Sequence, residues 1–172
     1  MNFEASLSYD SSRAMIETIA NTIGADKKMF EEVLNIAYTA KDMSASRAAR
    51  VIDLNTEIYP ELGDFYANNI AKNIVALECS RTKRSLCRVL TRHLPEDEEV
   101  LGYFISFAFE QMLSPSEPIA LKVYAMQALF NITLQIPELK NELIQSIEQQ
   151  MPQASVGFKG RAKKLLKKLH KM

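Results

Sequence analysis

The segment LKVYAMQAL, residues 121–129, carries the pattern that decides the fold of this chain. It places a base at Lys122, a small residue at Ala125 and a small–aliphatic pair at Ala128 and Leu129. Steps of three and four put these residues on one face of a helix. The same arrangement recurs at residues 83–90 and 159–166, more weakly at 13–20, and at 45–52 with Ala45 in place of the base and Arg47 displaced by two.

The spacing of these copies predicts a repeat protein. Equivalent small or aliphatic residues, here called the anchors, are Ile16, Ala48, Leu86, Ala125 and Ala162. They are separated by 32, 38, 39 and 37 residues. Such an interval accommodates one helix-turn-helix unit, so each copy marks one repeat.

A second helical stretch lies between successive copies, at residues 26–40, 60–79, 95–114 and 137–152. Three of these intervening stretches begin with proline, which is favoured in the first turn because its missing N–H needs no partner there. Acidic residues follow the prolines and favour the positive end of the helix dipole. We therefore predict helix starts at Pro60, Pro95 and Pro137.

The composition favours a folded, all-helical chain. Of 172 residues, 47% are hydrophobic and 24% charged, and five glycines and six prolines supply little of the turn punctuation of a β-protein. No basic–apolar leader and no stretch near the roughly 18 apolar residues of a membrane helix is present, so we expect a cytoplasmic protein without a membrane span. Cys79 and Cys87 fit neither a zinc motif nor a disulfide framework, and we expect both to be reduced and Cys87 to be buried.

The motif resembles that of the HEAT/armadillo-type helical repeat proteins, whose second helix carries a Val-Arg-x-x-Ala-Ala-x-x-Leu type of signature. The best copies are residues 121–129 and 158–166, and the resemblance covers about residues 10–170. It implies an all-α, right-handed α-α superhelix, a HEAT-like solenoid of about four and a half helix pairs, with the motif helices on the concave face. We expect residues 1–9 to be an N-terminal tail and residues 10–172 a single HEAT-like repeat domain.

Charge is divided unevenly between the two kinds of helix. The motif helices, taken as residues 11–24, 44–59, 80–94, 117–136 and 157–171, hold 16 Lys and Arg against 4 Asp and Glu. The intervening stretches hold 4 against 14. A net charge of zero thus conceals about +12 on one layer and −10 on the other.

The candidate binding residues are bases of the motif helices. Arg81, Arg84, Arg88 and Arg92 recur at helical spacing and form one row, and Arg50, Arg88 and Lys164 occupy the same place in their repeats. Such a row can bind phosphates; alternatively, these bases pair with the acidic helix of the next repeat or form a solvated face. For the motif bases the resemblance implies contacts within and between repeats; these are Arg13, Lys83, Lys122 and Lys159.

The basic run Lys159–Lys171 predicts an amphipathic last helix, which either caps the array or touches an anionic membrane or nucleic acid. The aromatic residues on the helix stripes are expected to pack in the core; they are Phe65, Tyr66, Phe104, Phe107, Phe109, Tyr124 and Phe130.

Catalysis has little support in the sequence. The two histidines are His93 and His170, and there is no Gly-rich phosphate loop, Gly-x-Ser-x-Gly or His-Glu-x-x-His motif. His93 matches the apolar Ile23 and Ile132 in its repeat, which favours a buried histidine over a general base. We predict a non-enzymatic interaction module without a cofactor or metal, which binds a protein or peptide partner on its concave face, and the basic charge of that layer favours an acidic partner. The alternative is a nucleic-acid-binding repeat protein.

Overall fold

The chain folds into ten α-helices, and the computed structural model describes all 172 residues. Two short 3₁₀ turns, Pro137–Leu139 and Met151–Gln153, flank the ninth helix, and there is no strand. The predicted all-α class is therefore confirmed. The helices are α1 (Phe3–Tyr9), α2 (Arg13–Ile23), α3 (Lys27–Thr39), α4 (Met43–Ile58), α5 (Pro60–Ile74), α6 (Ser80–Arg92), α7 (Glu98–Leu113), α8 (Ile119–Thr133), α9 (Lys140–Gln150) and α10 (Val156–Leu169).

The helices form two layers. The motif helices α2, α4, α6, α8 and α10 pack side by side in chain order and are called the motif layer. Helices α3, α5, α7 and α9, the intervening layer, each pack on the motif helix that follows them in the chain. This succession of neighbouring pairs is the predicted HEAT-like solenoid.

The anchors form the interior of the motif layer. None of the five is more than 4% exposed. They belong to one cluster of 44 buried hydrophobic residues that extends from α1 to α10. Because three of the anchors are alanines, neighbouring helix backbones approach closely there, and the larger residues beside them fill the remaining space.

Two of the three predicted proline helix starts need correction. Pro60 does begin α5, but α7 begins at Glu98, three residues after Pro95. The Asp97 carboxylate accepts a hydrogen bond from the Val100 N–H at 3.0 Å, so a side-chain cap starts this helix in place of a proline. Pro137 begins a 3₁₀ turn that precedes α9.

The prediction of an N-terminal tail over residues 1–9 is wrong. Residues Phe3–Tyr9 form α1, in which Phe3 is 2% and Leu7 0% exposed. Arg47 of α4 donates hydrogen bonds to the carbonyls of Leu7 at 2.6 Å and Ser8 at 2.9 Å. These carbonyls lie at the end of α1, where helical partners are missing. The base displaced in the second motif copy thus fastens α1 to α4.

Each of the first three motif helices receives hydrogen bonds at its carboxyl-terminal part from the next motif helix. Asn55 of α4 donates to the carbonyls of Ala20 and Gly24 at 3.1 and 3.0 Å. Arg92 of α6 donates to the Asp53 carbonyl at 3.0 Å. Asn131 of α8 donates to the Thr91 carbonyl at 2.7 Å. In all three steps the donor belongs to the later helix.

His93 and Gly63 join α5 to the end of α6. The imidazole is 6% exposed, and its Nδ1 lies 2.7 Å from Oδ1 of Asp64. A Cβ atom on Gly63 would lie 2.5 Å from Nε2 and 2.6 Å from Cγ of this ring. Only a glycine therefore admits the ring against the backbone of α5, which gives the predicted buried histidine a packing role.

None of the ten helices is both long enough and apolar enough to cross a membrane. Both cysteines carry free thiols, and Cys87 is buried as predicted, whereas Cys79 is exposed at the start of α6.

Candidate partner-binding surface

The arginine row of α6 lies at the surface of the motif layer, but its members differ in their surroundings. Arg81 is exposed, and its guanidinium lies 3.1 Å from the Met43 sulfur. Arg84 is half-buried and makes no hydrogen bond or ion pair within the chain. The side chains of Arg88 and Arg92 are 37% and 27% exposed, and both are paired with a carboxylate. The row therefore contains two compensated and two uncompensated guanidinium groups.

Asp53 of α4 is the carboxylate that holds Arg88 and Arg92. One carboxylate oxygen lies 2.7 Å from Arg88 Nη1 and the other 2.8 Å from Arg92 Nη2. Arg92 also reaches Thr56 Oγ1 at 3.2 Å, and Arg88 lies 3.6 Å from Glu57. Burial alone would lower the pKa of Arg88, but Asp53 and Glu57 raise it, so the guanidinium stays charged. The pairing acid thus comes from the preceding motif helix, and not from an acidic intervening helix.

Arg50, Arg84 and Arg88 border a depression of about 230 Å³ between α4, α6 and α8. Its other polar lining groups are Asp53, Ser85 and Tyr124. Ser85 is 4% exposed and its hydroxyl makes no hydrogen bond. The half-buried Tyr124 likewise has an unpaired hydroxyl, so the prediction that it serves only to pack the core is incomplete. Arg50 makes a single side-chain hydrogen bond, at 3.3 Å to the Ser11 carbonyl.

The row that equivalent positions predict across the repeats is interrupted. Helix α8 lies between α6 and α10, and it carries Gln127 where Arg50, Arg88 and Lys164 occur in the other repeats. Gln127 accepts a 2.9 Å hydrogen bond from Arg161 of α10. Lys164 is exposed and has no ion pair within the chain. The structure therefore brings Arg50, Arg84 and Arg88 together and leaves Lys164 beyond α8.

The base of the third motif copy is part of the interior. The Lys83 side chain is 9% exposed, pairs with Glu117 and donates to Gln111 at 2.9 Å. Ser80 donates to the same Glu117 carboxylate at 2.6 Å. This agrees with the structural role that the resemblance implies for the motif base, and it removes Lys83 from the surface charge. In the next copy Lys122 reaches Gln150 at 3.3 Å.

Helix α10 packs as the last helix of the motif layer. Leu165 and Leu169 are 2% and 0% exposed, whereas Lys163, Lys167 and Lys168 face solvent. The lysines of α10 are thus free to contact a partner, whereas its leucines are packed in the core. In the intervening layer, Phe65 is 60% exposed, which contradicts its predicted core position, and the Lys27 ammonium lies 3.5 Å from its ring centroid.

The repeat register contains a signal for the residues that sequence reasoning missed. Ser85 and Tyr124 each precede an anchor by one residue, as do Arg47 and Arg161, which contact a neighbouring helix. Positions just before an anchor therefore face the junction between repeats. The shared register thus places Ser85 and Tyr124 at repeat junctions, whereas their lining of a depression follows from how the helices pack.

The fold and its repeated helix pairs define an α-solenoid of the helical repeat class. A family described as a HEAT repeat domain matches residues 3–169, and the chain belongs to that family. The match begins at the first residue of α1, in accord with the corrected position of this helix. No curated protein and no solved structure matches the chain.

Proposed function

We propose that this chain is a non-enzymatic interaction module that binds an acidic segment of a protein partner on its motif layer. HEAT repeats are generally protein-interaction scaffolds, and the resemblance to them implies that the motif helices line the concave face. The single observation that carries the proposal is the group of uncompensated bases at the centre of that layer. Arg50 and Arg84 have no acidic partner within the chain and border a depression that a side chain can enter.

Electrostatics supports this orientation of binding. The motif helices hold the excess of about 12 positive charges, whereas the intervening helices are acidic. An acidic segment is therefore attracted to one layer and repelled by the other, which guides its approach. We place this interaction in the cytoplasm, where the two free thiols would remain reduced.

Enzymatic function is disfavoured by the surroundings of the histidines. His93 packs against Gly63 and is 6% exposed, so a substrate atom cannot reach its ring. His170 lies at the exposed end of α10, 3.7 Å from Glu148. Neither is placed beside a nucleophile.

A nucleic-acid backbone is the less favoured partner for this layer. A phosphate track needs bases at successive repeats, but α8 presents Tyr124, Gln127 and Asn131 between α6 and α10. Two guanidinium groups of the α6 row are already paired with Asp53.

The test is a binding assay with a fluorescein-labelled oligoglutamate peptide and with single- and double-stranded DNA and RNA over a range of salt. The protein is compared with Arg84→Ala/Arg88→Ala and with a matched control of equal charge loss, Lys28→Ala/Lys72→Ala, on the intervening layer. We expect peptide binding that the first variant weakens about tenfold or more and the control leaves unchanged, since hydrogen bonds to charged groups contribute about 1.5–3 kcal/mol each. Failure to bind the peptide at low salt, or tighter and more salt-dependent binding of nucleic acid, would overturn the proposal.

A further inference from the structure

We propose that the depression between α4, α6 and α8 is a binding site for one phosphate group, carried on a phosphorylated side chain of the protein partner. This inference rests on the proposed function and specifies which chemical group the partner presents. It concerns the depression lined by Arg50, Asp53, Arg84, Ser85, Arg88 and Tyr124.

Hydrogen-bond donors without partners converge on this depression. Arg84 has no hydrogen bond within the chain, and Arg50 uses only one donor, on the Ser11 carbonyl. Ser85 is the most telling residue: it is only 4% exposed and its hydroxyl has no partner within the chain, but the hydroxyl oxygen still reaches the solvent of the depression. A serine within a helix commonly bonds to the carbonyl one turn before it, and the Ser85 hydroxyl makes no such bond. A ligand oxygen in the depression would satisfy this hydroxyl.

Asp53 does not cancel the attraction for an anion. Its two carboxylate oxygens are occupied by Arg88 at 2.7 Å and Arg92 at 2.8 Å, so its charge is compensated within the chain. The three lining guanidinium groups against one lining carboxylate leave a net +2, and beyond the lining the charges of Arg92 and Glu57 offset each other. The pairing also fixes the Arg88 side chain, which a bound anion would otherwise have to order at an entropic cost. Asp53 is therefore a positioning residue for Arg88.

The directions of the donors favour a phosphate over a carboxylate. Arg50 comes from α4, Arg84 and Ser85 from α6, and Tyr124 from α8, so donors approach from three helices. A carboxylate offers two oxygens in one plane, whereas a phosphate monoester offers three terminal oxygens in a tetrahedral arrangement and carries nearly two charges. The volume of about 230 Å³ exceeds that of a single oxyanion, which leaves space for the side chain that carries it.

The experiment uses phenyl phosphate as the probe and phenylacetate as the matched carboxylate, with binding followed by the ¹⁵N–¹H signals of the full chain. We expect phenyl phosphate to shift the Arg50, Arg84 and Arg88 side-chain signals and to bind about tenfold or more tightly than phenylacetate, in line with its larger charge and additional oxygen. Equal affinity for the two probes, or shifts spread evenly over all surface bases, would overturn the site.

Three variants separate this site from general electrostatic attraction. Ser85→Ala removes one hydroxyl without changing charge, and we expect it to weaken phenyl phosphate binding about threefold to tenfold. Asp53→Asn makes the chain more positive, yet we expect weaker binding because Arg88 loses its positioning partner. Lys28→Ala, on α3, should leave the affinity unchanged.

The outcomes distinguish the two proposals. If Ser85→Ala binds phenyl phosphate like the unmodified protein, or if Asp53→Asn binds it more tightly, the phosphate site is refuted. Oligoglutamate binding that still depends on Arg84 and Arg88 would then leave the interaction module standing. A phosphorylated peptide is also compared with an oligonucleotide of equal phosphate content; preference for the oligonucleotide would refute the protein partner.

Discussion

The packing of His93 against Gly63 predicts a large effect from the smallest possible side chain. In Gly63→Ala the new Cβ would lie 2.5 Å from Nε2 and 2.6 Å from Cγ of the imidazole, well inside van der Waals contact. The ring cannot easily yield, because it is 6% exposed and held by Asp64. Either the ring leaves its position or α5 moves away from α6.

The magnitude follows from two opposing effects. Overpacking a tight interior typically costs about 1–3 kcal/mol, whereas replacing a helical glycine with alanine gains about 1 kcal/mol from propensity. Because a separation of about 2.5 Å is a severe overlap, we take the upper part of the overpacking range, about 2–3 kcal/mol. We therefore expect Gly63→Ala to lower the free energy of unfolding by about 1–2 kcal/mol and the melting temperature by roughly 2–4 °C for each kcal/mol. The matched control is Gly102→Ala in α7, where no atom lies within 4 Å of the new Cβ, and it should stabilise the protein by about 0.5–1 kcal/mol.

The assay is urea unfolding followed by circular dichroism, with thermal melts as a second measure. A double-mutant cycle with His93→Ala tests the cause directly. Because His93→Ala removes the clashing ring, its combination with Gly63→Ala should be less destabilising than the sum of the single effects by more than about 0.5 kcal/mol. A Gly63→Ala protein as stable as the Gly102→Ala control, or strictly additive effects in the cycle, would refute the reasoning.

Three further predictions concern other parts of the chain. Burial alone would raise the pKa of the Cys79 thiol, but the polar groups of Thr82 and Arg81 at the start of α6 lower it, whereas burial raises the pKa of Cys87 to about 12. Maleimide should therefore modify Cys79 at neutral pH and Cys87 only in urea, and equal rates by mass spectrometry would contradict this. Leu7→Ala should lower the free energy of unfolding in urea by about 3 kcal/mol, whereas Tyr9→Ala, at a 91% exposed position, should leave it almost unchanged. Similar values for the two variants would mean that α1 does not unfold cooperatively with the rest of the chain. Burial alone would raise the pKa of Glu117, but hydrogen bonds from Lys83 and Ser80 hold it below its ordinary value of 4.5. The ionised carboxylate therefore contributes stability above pH 4.5, and this contribution is lost as the pH falls through the lowered pKa. The stability difference between the unmodified protein and Glu117→Gln should accordingly shrink below pH 4.5, and a constant difference across that range would argue against the pairing.

The fold was predictable because its signals are local and repeated. The anchors and the three- and four-residue steps around them recur often enough to fix the helices, the register and the all-α class. The errors came from positions whose role depends on distant residues. Phe3 and Leu7 form too short a pattern to predict a helix, and α1 is fastened by Arg47, about 40 residues further along the chain. The start at Pro95 failed because Asp97 provides a side-chain cap.

The candidate site was predictable only in its outline. Helical spacing correctly placed Arg81, Arg84, Arg88 and Arg92 on one side of α6. It could not tell which of these guanidinium groups are compensated, because that depends on the register between α4 and α6, which brings Asp53 opposite Arg88 and Arg92. The lining role of Tyr124 likewise depends on how α8 packs beside α6.

The one-way hydrogen bonds between motif helices restrict how such an array can be rebuilt. Ala20, Gly24, Asp53 and Thr91 each offer a carbonyl to a donor on the following helix. If an internal helix pair is deleted, the motif helix before the deletion keeps its free carbonyl. It then packs against a motif helix whose donor side chain is positioned for a different carbonyl. A duplicated or transplanted pair therefore needs a matching carbonyl before it and a matching donor after it. Even the repeats of similar length in this chain are consequently not interchangeable.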